Sequence, residues 1–204
     1  MIPRIEQKLE ISKNQYLDIL KWIKFKKGTV LYPERKICSR YFENNNLQMY
    51  WNTLEGIVPR KKIRIRTYGS EKFILSKSDY SLEIKMTTEY KRFKKTIPNI
   101  NLDTLLVRGY LDKLYGLCKE LVDISYVREY FLVDDIRITI DREINYKLID
   151  LNKRIQNNEF EEESFVLEIK ANIDTNLSFL ANNFDFPRSR FSKYERAIQS
   201  LLKI

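Results

Sequence analysis

Charged residues recur at every second position in several short stretches of this chain, alternating mostly with aliphatic ones. Arg4, Glu6, Lys8 and Glu10 alternate with Ile5, Gln7, Leu9 and Ile11, and Arg64 and Arg66 flank Ile65. Glu83 and Lys85 alternate with Leu82 and Ile84; Arg137, Thr139 and Asp141 with Ile136, Ile138 and Ile140; Glu168 and Lys170 with Leu167 and Ile169. Residues two apart on a strand share a face, so each stretch predicts a strand with one apolar and one charged side. In a single strand such a side can simply meet water. Its repetition along the chain, with Arg and Lys predominating, points instead to a polyanion. Guanidinium groups grip phosphate with paired N–H donors, and Lys adds a point charge. If helices cover the apolar faces of a closed sheet, the charged faces line its interior. Cations crowded there are costly without a partner. An open sheet with a basic outer face fits the same alternation.

Composition narrows the chemistry further. The 204 residues contain no His, which excludes Ser-His and Cys-His catalysis and every His-ligated metal site. A metal here must sit on carboxylate oxygens, which favours Mg²⁺ or Mn²⁺. Cys38 and Cys118 have no motif spacing and are expected as buried free thiols in a reducing compartment. The balance of 37 Lys+Arg against 28 Asp+Glu, a net charge of +9, calls for an anionic partner. Neither a P-loop nor a Rossmann glycine loop is present. With no signal peptide and no membrane-length apolar run, the expected location is the cytoplasm.

The elements that must carry these strands are fewer. Ser12 and Gln15 form a capping box ahead of Tyr16, Ile19, Leu20 and Ile23 at helical spacing. The stretch from Leu102 to Val122 is helical in period, with possible breaks at Gly109 and Gly116, and Tyr146 to Arg154 is ambiguous. Ser192 and Glu195 form a second capping box before an apolar face of Tyr194, Ala197, Ile198 and Leu201. No Gly-, Ser- or Pro-rich linker divides the chain, which predicts one domain over residues 1–204.

At this level of detail the chain resembles the VTC-type polyphosphate polymerase domains of the triphosphate tunnel metalloenzyme (CYTH-like) superfamily. Arg4-Ile5-Glu6-Gln7-Lys8 is similar to the first-strand R-x-E-x-K, and Ser39-Arg40-Tyr41-Phe42-Glu43-Asn44 to S-x-Y-F-D-N. Lys62-Ile63-Arg64-Ile65-Arg66-Thr67-Tyr68-Gly69 resembles K-x-R-x-R-x-Y-G. Leu82-Glu83-Ile84-Lys85, with Lys94 and Lys95 after it, resembles L-E-x-K and its basic follower. Tyr126-Val127-Arg128 and Ile136 to Asp141 resemble Y-x-R and V-R-x-T-x-D, Leu167 to Lys170 the last metal-binding strand, and Phe191 to Tyr194 the F-S-K-Y end. The segments fall in the family's order over nearly the whole length.

The resemblance implies an α+β fold, an antiparallel eight-stranded β-barrel tunnel with helices packed outside. It also implies transfer of the γ-phosphoryl of ATP to a polyphosphate chain, with Mn²⁺ or Mg²⁺. On that footing Lys8, Arg64, Arg66, Lys85, Arg128 and Arg137 are the central phosphate-handling residues. Lys94 and Lys170 are further phosphate binders, and Glu168, with Glu6 second, is the metal ligand. Ser192 and Lys193 either cap the last helix or hold a phosphate at its N-terminus. Tyr126 either reaches a phosphate or packs. Glu83 and Asp141 are expected to orient Lys85 and Arg137 on their own strands, and Lys91 and Arg92 to face water. The basic residue that many relatives carry near Asn52 and Thr53 is missing, which predicts the loss of one phosphate subsite.

ATP and triphosphate or polyphosphate are thus the expected partners. A hydrolase of triphosphate or polyphosphate and a non-catalytic polyphosphate-binding module remain alternatives; the R-x-E-x-K start favours the polymerase over the hydrolase, and no sequence feature separates the three firmly. A nucleic-acid partner is disfavoured, because few aromatics interleave with the basic residues.

Overall fold

Apolar residues spaced by two need something to pack against, and the helices supply it. A computed structural model describes residues 4–69, 80–98, 100–149, 159–172, 175 and 191–204. The chain divides into two compact units. One comprises residues 1–35, 126–144 and 161–191, the other residues 36–125, 145–160 and 192–204.

In the first unit, β1 (Arg4–Ile11) pairs antiparallel with β10 (Phe165–Asn172), which pairs antiparallel with β8 (Ile136–Leu148). Helix α1 (Lys13–Phe25) follows β1 directly. Ser12 accepts from the Gln15 N–H and the Gln15 side chain returns to the Ser12 N–H, completing the expected capping box. Leu9, Ile11, Ile138, Ile140, Leu167 and Ile169 form a core with Ile19 and Ile23 of α1. Burying each such side chain stabilises by about 1.5–3 kcal/mol. The alternation then puts Glu6, Lys8, Arg137, Asp141, Glu168 and Lys170 on the opposite face.

In the second unit, the end of β2 (Thr29–Glu43) pairs with β3 (Arg60–Tyr68), β3 with β4 (Ser81–Thr87), and β4 with β5 (Arg92–Pro98), all antiparallel. Ile63, Ile65, Leu82 and Ile84 are buried on one face. Helix α2 (Gln48–Leu54) lies between β2 and β3 in the chain. The last helix, numbered α4 (Lys193–Leu202), buries Tyr194, Ala197 and Ile198.

The predicted helix from Leu102 to Val122 stops early. Helix α3 covers Leu102–Arg108; strands β6 (Tyr110–Asp112) and β7 (Gly116–Val133) follow. Gly109 ends the helix at φ +80°, where a Cβ would also meet the Cys118 carbonyl at 2.7 Å. Leu111, Leu114 and Leu117, which kept the helical period, are exposed, so they have no core to hold them in a helix. Of the ambiguous Tyr146–Arg154 stretch, the first three residues extend β8, and residues 150–154 lie outside the described ones.

With β9 (Glu159–Glu162) on β8 and β6 on β7, the described residues form a ten-stranded sheet in the order β1-β10-β8-β7-β2-β3-β4-β5. Among the described residues the architecture is antiparallel α+β with four helices. Closing it into the expected eight-stranded barrel needs ladder bonds between the end strands. Among the described residues no pairing joins β5 to β1.

Candidate functional site

The polar face of the second unit is built in cross-strand rows. Register places Tyr41, Arg64, Glu83 and Thr96 side by side on β2 to β5, and Ser39, Arg66 and Ser81 in the next row. On the other side Lys62, Lys85 and Lys94 stand directly opposite one another on β3, β4 and β5. Like charges facing across strands destabilise a sheet, so this row favours an anion laid over it.

Glu83 is the hub. It is 2% exposed, with Arg64 at 2.5 and 2.8 Å, Lys94 at 2.5 Å and Arg66 at 3.9 Å. Burial alone would raise its carboxyl, but Arg64 and then Arg66 outweigh that and hold it at about 2. Three cations on one carboxylate leave the cluster positive. The expected pairing of Glu83 with Lys85 is not what forms. Arg64 sits directly opposite Glu83, nearer than a residue two along the same strand.

Tyr41 shares this cluster. Its hydroxyl lies 2.7 Å from Arg64 Nη1. Burial pushes the phenol up, yet Arg64, Arg66 and Lys85 together pull it down to about 7. Lys62 joins the rows to α4, with Nζ 2.9 Å from Ser192 Oγ, 3.5 Å from Glu195 and 5.1 Å from the Tyr194 ring. Ser192 caps α4 by accepting from the Glu195 N–H at 3.4 Å. Lys193 is the first residue of α4 and half-buried. Glu43 holds this arrangement together. Its carboxylate accepts the N–H groups of Met49 and Tyr50 at 3.1 and 2.9 Å and the Tyr194 hydroxyl. Asn52 and Thr53, where a basic residue was missed, bond to the Tyr115 hydroxyl and the Met49 carbonyl.

The first unit carries a second hub in an identical Leu-Glu-Ile-Lys segment. Glu168 lies 2.7 Å from Lys170, 3.6 Å from Arg128 and 4.0 Å from Lys8. Burial would raise its carboxyl, but Lys8, Arg128 and Lys170 hold it well below the usual carboxylate range. Lys8 also meets Glu6 at 3.0 Å. Burial would lower the Lys8 amine, while Glu168 and Glu6 raise it overall. Arg128 forks onto Asp141 at 2.5 and 2.7 Å, so Asp141 orients Arg128 rather than Arg137. Tyr126 is 5% exposed with its ring 5.3 Å from the Arg128 guanidinium, a packing contact beneath the cation. Arg137 is exposed, with its guanidinium 5.7 Å from the Tyr130 ring.

The predicted residues divide between the two units. Arg64, Arg66, Lys85, Lys94, Ser192 and Lys193 fall in one unit, and Glu6, Lys8, Tyr126, Arg128, Arg137, Glu168 and Lys170 in the other. Tyr41, Lys62 and Glu43 were not predicted as site residues. Lys62 was visible in the alternation that exposed Arg64 and Arg66, whereas the roles of Tyr41 and Glu43 depend on cross-strand partners.

The donor set limits what metal could bind. Among the described residues no three carboxylates or thiols stand close enough to cage an ion. Glu83 is locked at 2.5 Å on both sides, while Glu168 Oε2 has its nearest cations at 3.6 and 4.0 Å. An ionised, loosely held, oxygen-only ligand fits a hard divalent ion whose remaining coordination comes from phosphate and water.

A profile of the family described as "VTC domain" matches residues 3–115 and 115–202. The fold is similar to that of a protein from Vibrio parahaemolyticus described as "a putative adenylate cyclase". That match has 13% identity and a TM-score of 0.52, covering 96% of this chain and 97% of that one. It is also similar to a chain of the Schizosaccharomyces pombe Mediator head module, with 10% identity, a TM-score of 0.51, and coverage of 98% and 94%. No curated protein sequence matches significantly. Likeness at such identities shows the fold alone, and function must come from the site. No described helix is long and apolar enough to cross a membrane.

Proposed function

This chain belongs to the VTC domain family, and from that premise we propose that it is a polyphosphate polymerase. In this reading it moves the γ-phosphoryl of ATP onto a phosphate chain, acting as one domain with the barrel tunnel the family resemblance implies. The observation that carries the reading is the row of Lys62, Lys85 and Lys94 beside a carboxylate already saturated by Arg64, Arg66 and Lys94. Such an excess of fixed positive charge suits a ligand that brings several negative charges.

Phosphoryl transfer is mostly positioning and charge neutralisation. The terminal oxygen of the acceptor chain attacks the γ-phosphorus, the bond to the β–γ bridging oxygen breaks, and ADP leaves. No protein nucleophile is needed, which suits a chain without His. Arg64, Arg66 and Lys85 in one unit, and Lys8, Arg128 and Arg137 in the other, bind phosphate oxygens. Lys94, Lys170 and Lys193 add charge, and Ser192 offers a hydroxyl at the α4 N-terminus. Asp141 aims the Arg128 fork and Glu43 anchors α4 through Tyr194. Glu168, with Glu6 second, would hold a Mn²⁺ or Mg²⁺ ion, which supplies further neutralisation of phosphate charge. The family's other phosphate chemistry, hydrolysis, would need a carboxylate free to orient water. Glu83 and Asp141 are each locked onto an arginine at 2.5 Å, and Glu168 is the residue that would hold the metal.

Product analysis tests the proposal. ATP with Mn²⁺ should give ADP and a polymer that a polyphosphatase digests, with short polyphosphate shortening any lag. ADP and orthophosphate without polymer at any time would reassign the chain as a hydrolase. Tight tripolyphosphate binding without ADP formation would make it a binding module.

A further inference from the structure

Strand alternation in the first unit sorts charges to two sides. Glu34 and Glu129 both turn to Arg142, at 2.6 and 3.7 Å. Tyr130, the sequence neighbour of Glu129, occupies the other face of β7. There two arginines gather on one pair of tyrosines. The Arg35 guanidinium lies 5.4 Å from the Tyr32 ring and 5.8 Å from the Tyr130 ring. That of Arg137 lies 5.9 and 5.7 Å from the same rings. The two rings meet edge to face at 5.6 Å.

Aromatic faces attract cations, but they do not relieve the repulsion between two guanidiniums sharing one shelf. Among the described residues neither Arg35 nor Arg137 has a carboxylate within ion-pair distance, and both are exposed. Tyr32 is 43% exposed and Tyr130 6%, so the shelf has a rigid floor and an open side. It also continues the site. Tyr130 shares a strand face with Arg128 two residues away, and Arg137 stands directly opposite Lys170.

We propose that Tyr32, Arg35, Tyr130 and Arg137 form a further phosphate subsite, which takes phosphoryl groups of a polyphosphate chain beyond those held at Lys8 and Arg128. This rests on the phosphate-chain reading above. The rings hold the guanidiniums by their faces and leave N–H edges for phosphate oxygens, and Arg35 is the added ligand. A triphosphate is satisfied by Lys8, Arg128 and Lys170 with the near edge of Arg137, so Arg35 contributes only to longer chains.

The test is calorimetric titration of the full chain with tripolyphosphate, long-chain inorganic polyphosphate and ATP, for wild type, Arg35→Ala, Arg35→Lys and Tyr32→Leu. Arg35→Ala should weaken long-chain binding about tenfold, as loss of a charge-assisted phosphate contact does. It should leave tripolyphosphate within about twofold. Arg35→Lys should recover part of the loss, and Tyr32→Leu should share it. Equal loss for both chain lengths would make Arg35 part of the primary site and overturn the subsite. Loss confined to ATP would mean that the shelf stacks a base, and would overturn it too. If wild type binds both phosphates and Arg35→Ala matches it throughout, the subsite alone falls. If wild type binds neither, the underlying phosphate reading falls with it. Arg35 is exposed, and surface substitutions of this kind usually leave the fold intact.

Discussion

Replacing Glu83 by Gln removes the charge at the centre of one hub and keeps its shape. Arg64 and Arg66 are 7% and 8% exposed, and Glu83 is the carboxylate that faces both. Breaking a buried ion pair from one side costs about 3–5 kcal/mol, because the remaining charge stays buried. Linkage gives a similar figure: holding Glu83 at about 2 rather than 4.5 corresponds to about 3 kcal/mol. The folded value lies below the unfolded one, so this stability is fully present above about pH 4.5. It is lost as pH falls toward 2. Urea unfolding at pH 7 should therefore show Glu83→Gln less stable than wild type by about 3 kcal/mol, with the gap closing between pH 4.5 and 2. Tripolyphosphate should then rescue the variant more than the wild type, since its cations have lost an internal competitor. At a ligand concentration a hundredfold above Kd the gain is about 2.7 kcal/mol. A variant as stable as wild type at pH 7 would refute the claim that Glu83 offsets Arg64 and Arg66. A destabilised variant that tripolyphosphate does not rescue would refute the claim that these cations face a ligand.

The Tyr41 phenol should ionise near pH 7 in the unliganded protein, because Arg64, Arg66 and Lys85 overcome the effect of burial. Tyrosinate absorbance should follow that titration and move to higher pH once tripolyphosphate neutralises the cations; an unmoved midpoint would separate Tyr41 from the binding face. Glu168→Gln should abolish Mn²⁺-dependent turnover while tripolyphosphate affinity is largely retained. Turnover at the wild-type rate would pass the ligand role to Glu6.

Several features were legible because they are local or periodic. Apolar and charged residues spaced by two predicted β1, β3, β4, β8 and β10; their described isoleucines and leucines are buried as that spacing requires, but Arg64, Arg66, Glu83, Asp141 and Glu168 on the charged faces are buried as well. Ser12 and Gln15 marked the start of α1, and the absence of His removed whole classes of chemistry. The order of motifs announced the family that the profile match bears out. The helix forecast beyond Gly109 failed because leucines at helical spacing have no core beneath them; periodicity reports a possible face, and packing decides whether it is used.

Partner choice was decided only by tertiary structure. A strand pattern tells which residues share a face but not which strand lies alongside. That Glu83 answers Arg64 rather than Lys85, that Asp141 answers Arg128 rather than Arg137, and that Glu43 reaches Tyr194 all depend on register between segments far apart in the chain. The same holds for the two guanidiniums on Tyr32 and Tyr130. Electrostatic energy falls with distance through space and is indifferent to distance along the sequence. The types of charge were therefore readable from the residues, while their pairing, and hence the pKa of each, waited on the fold.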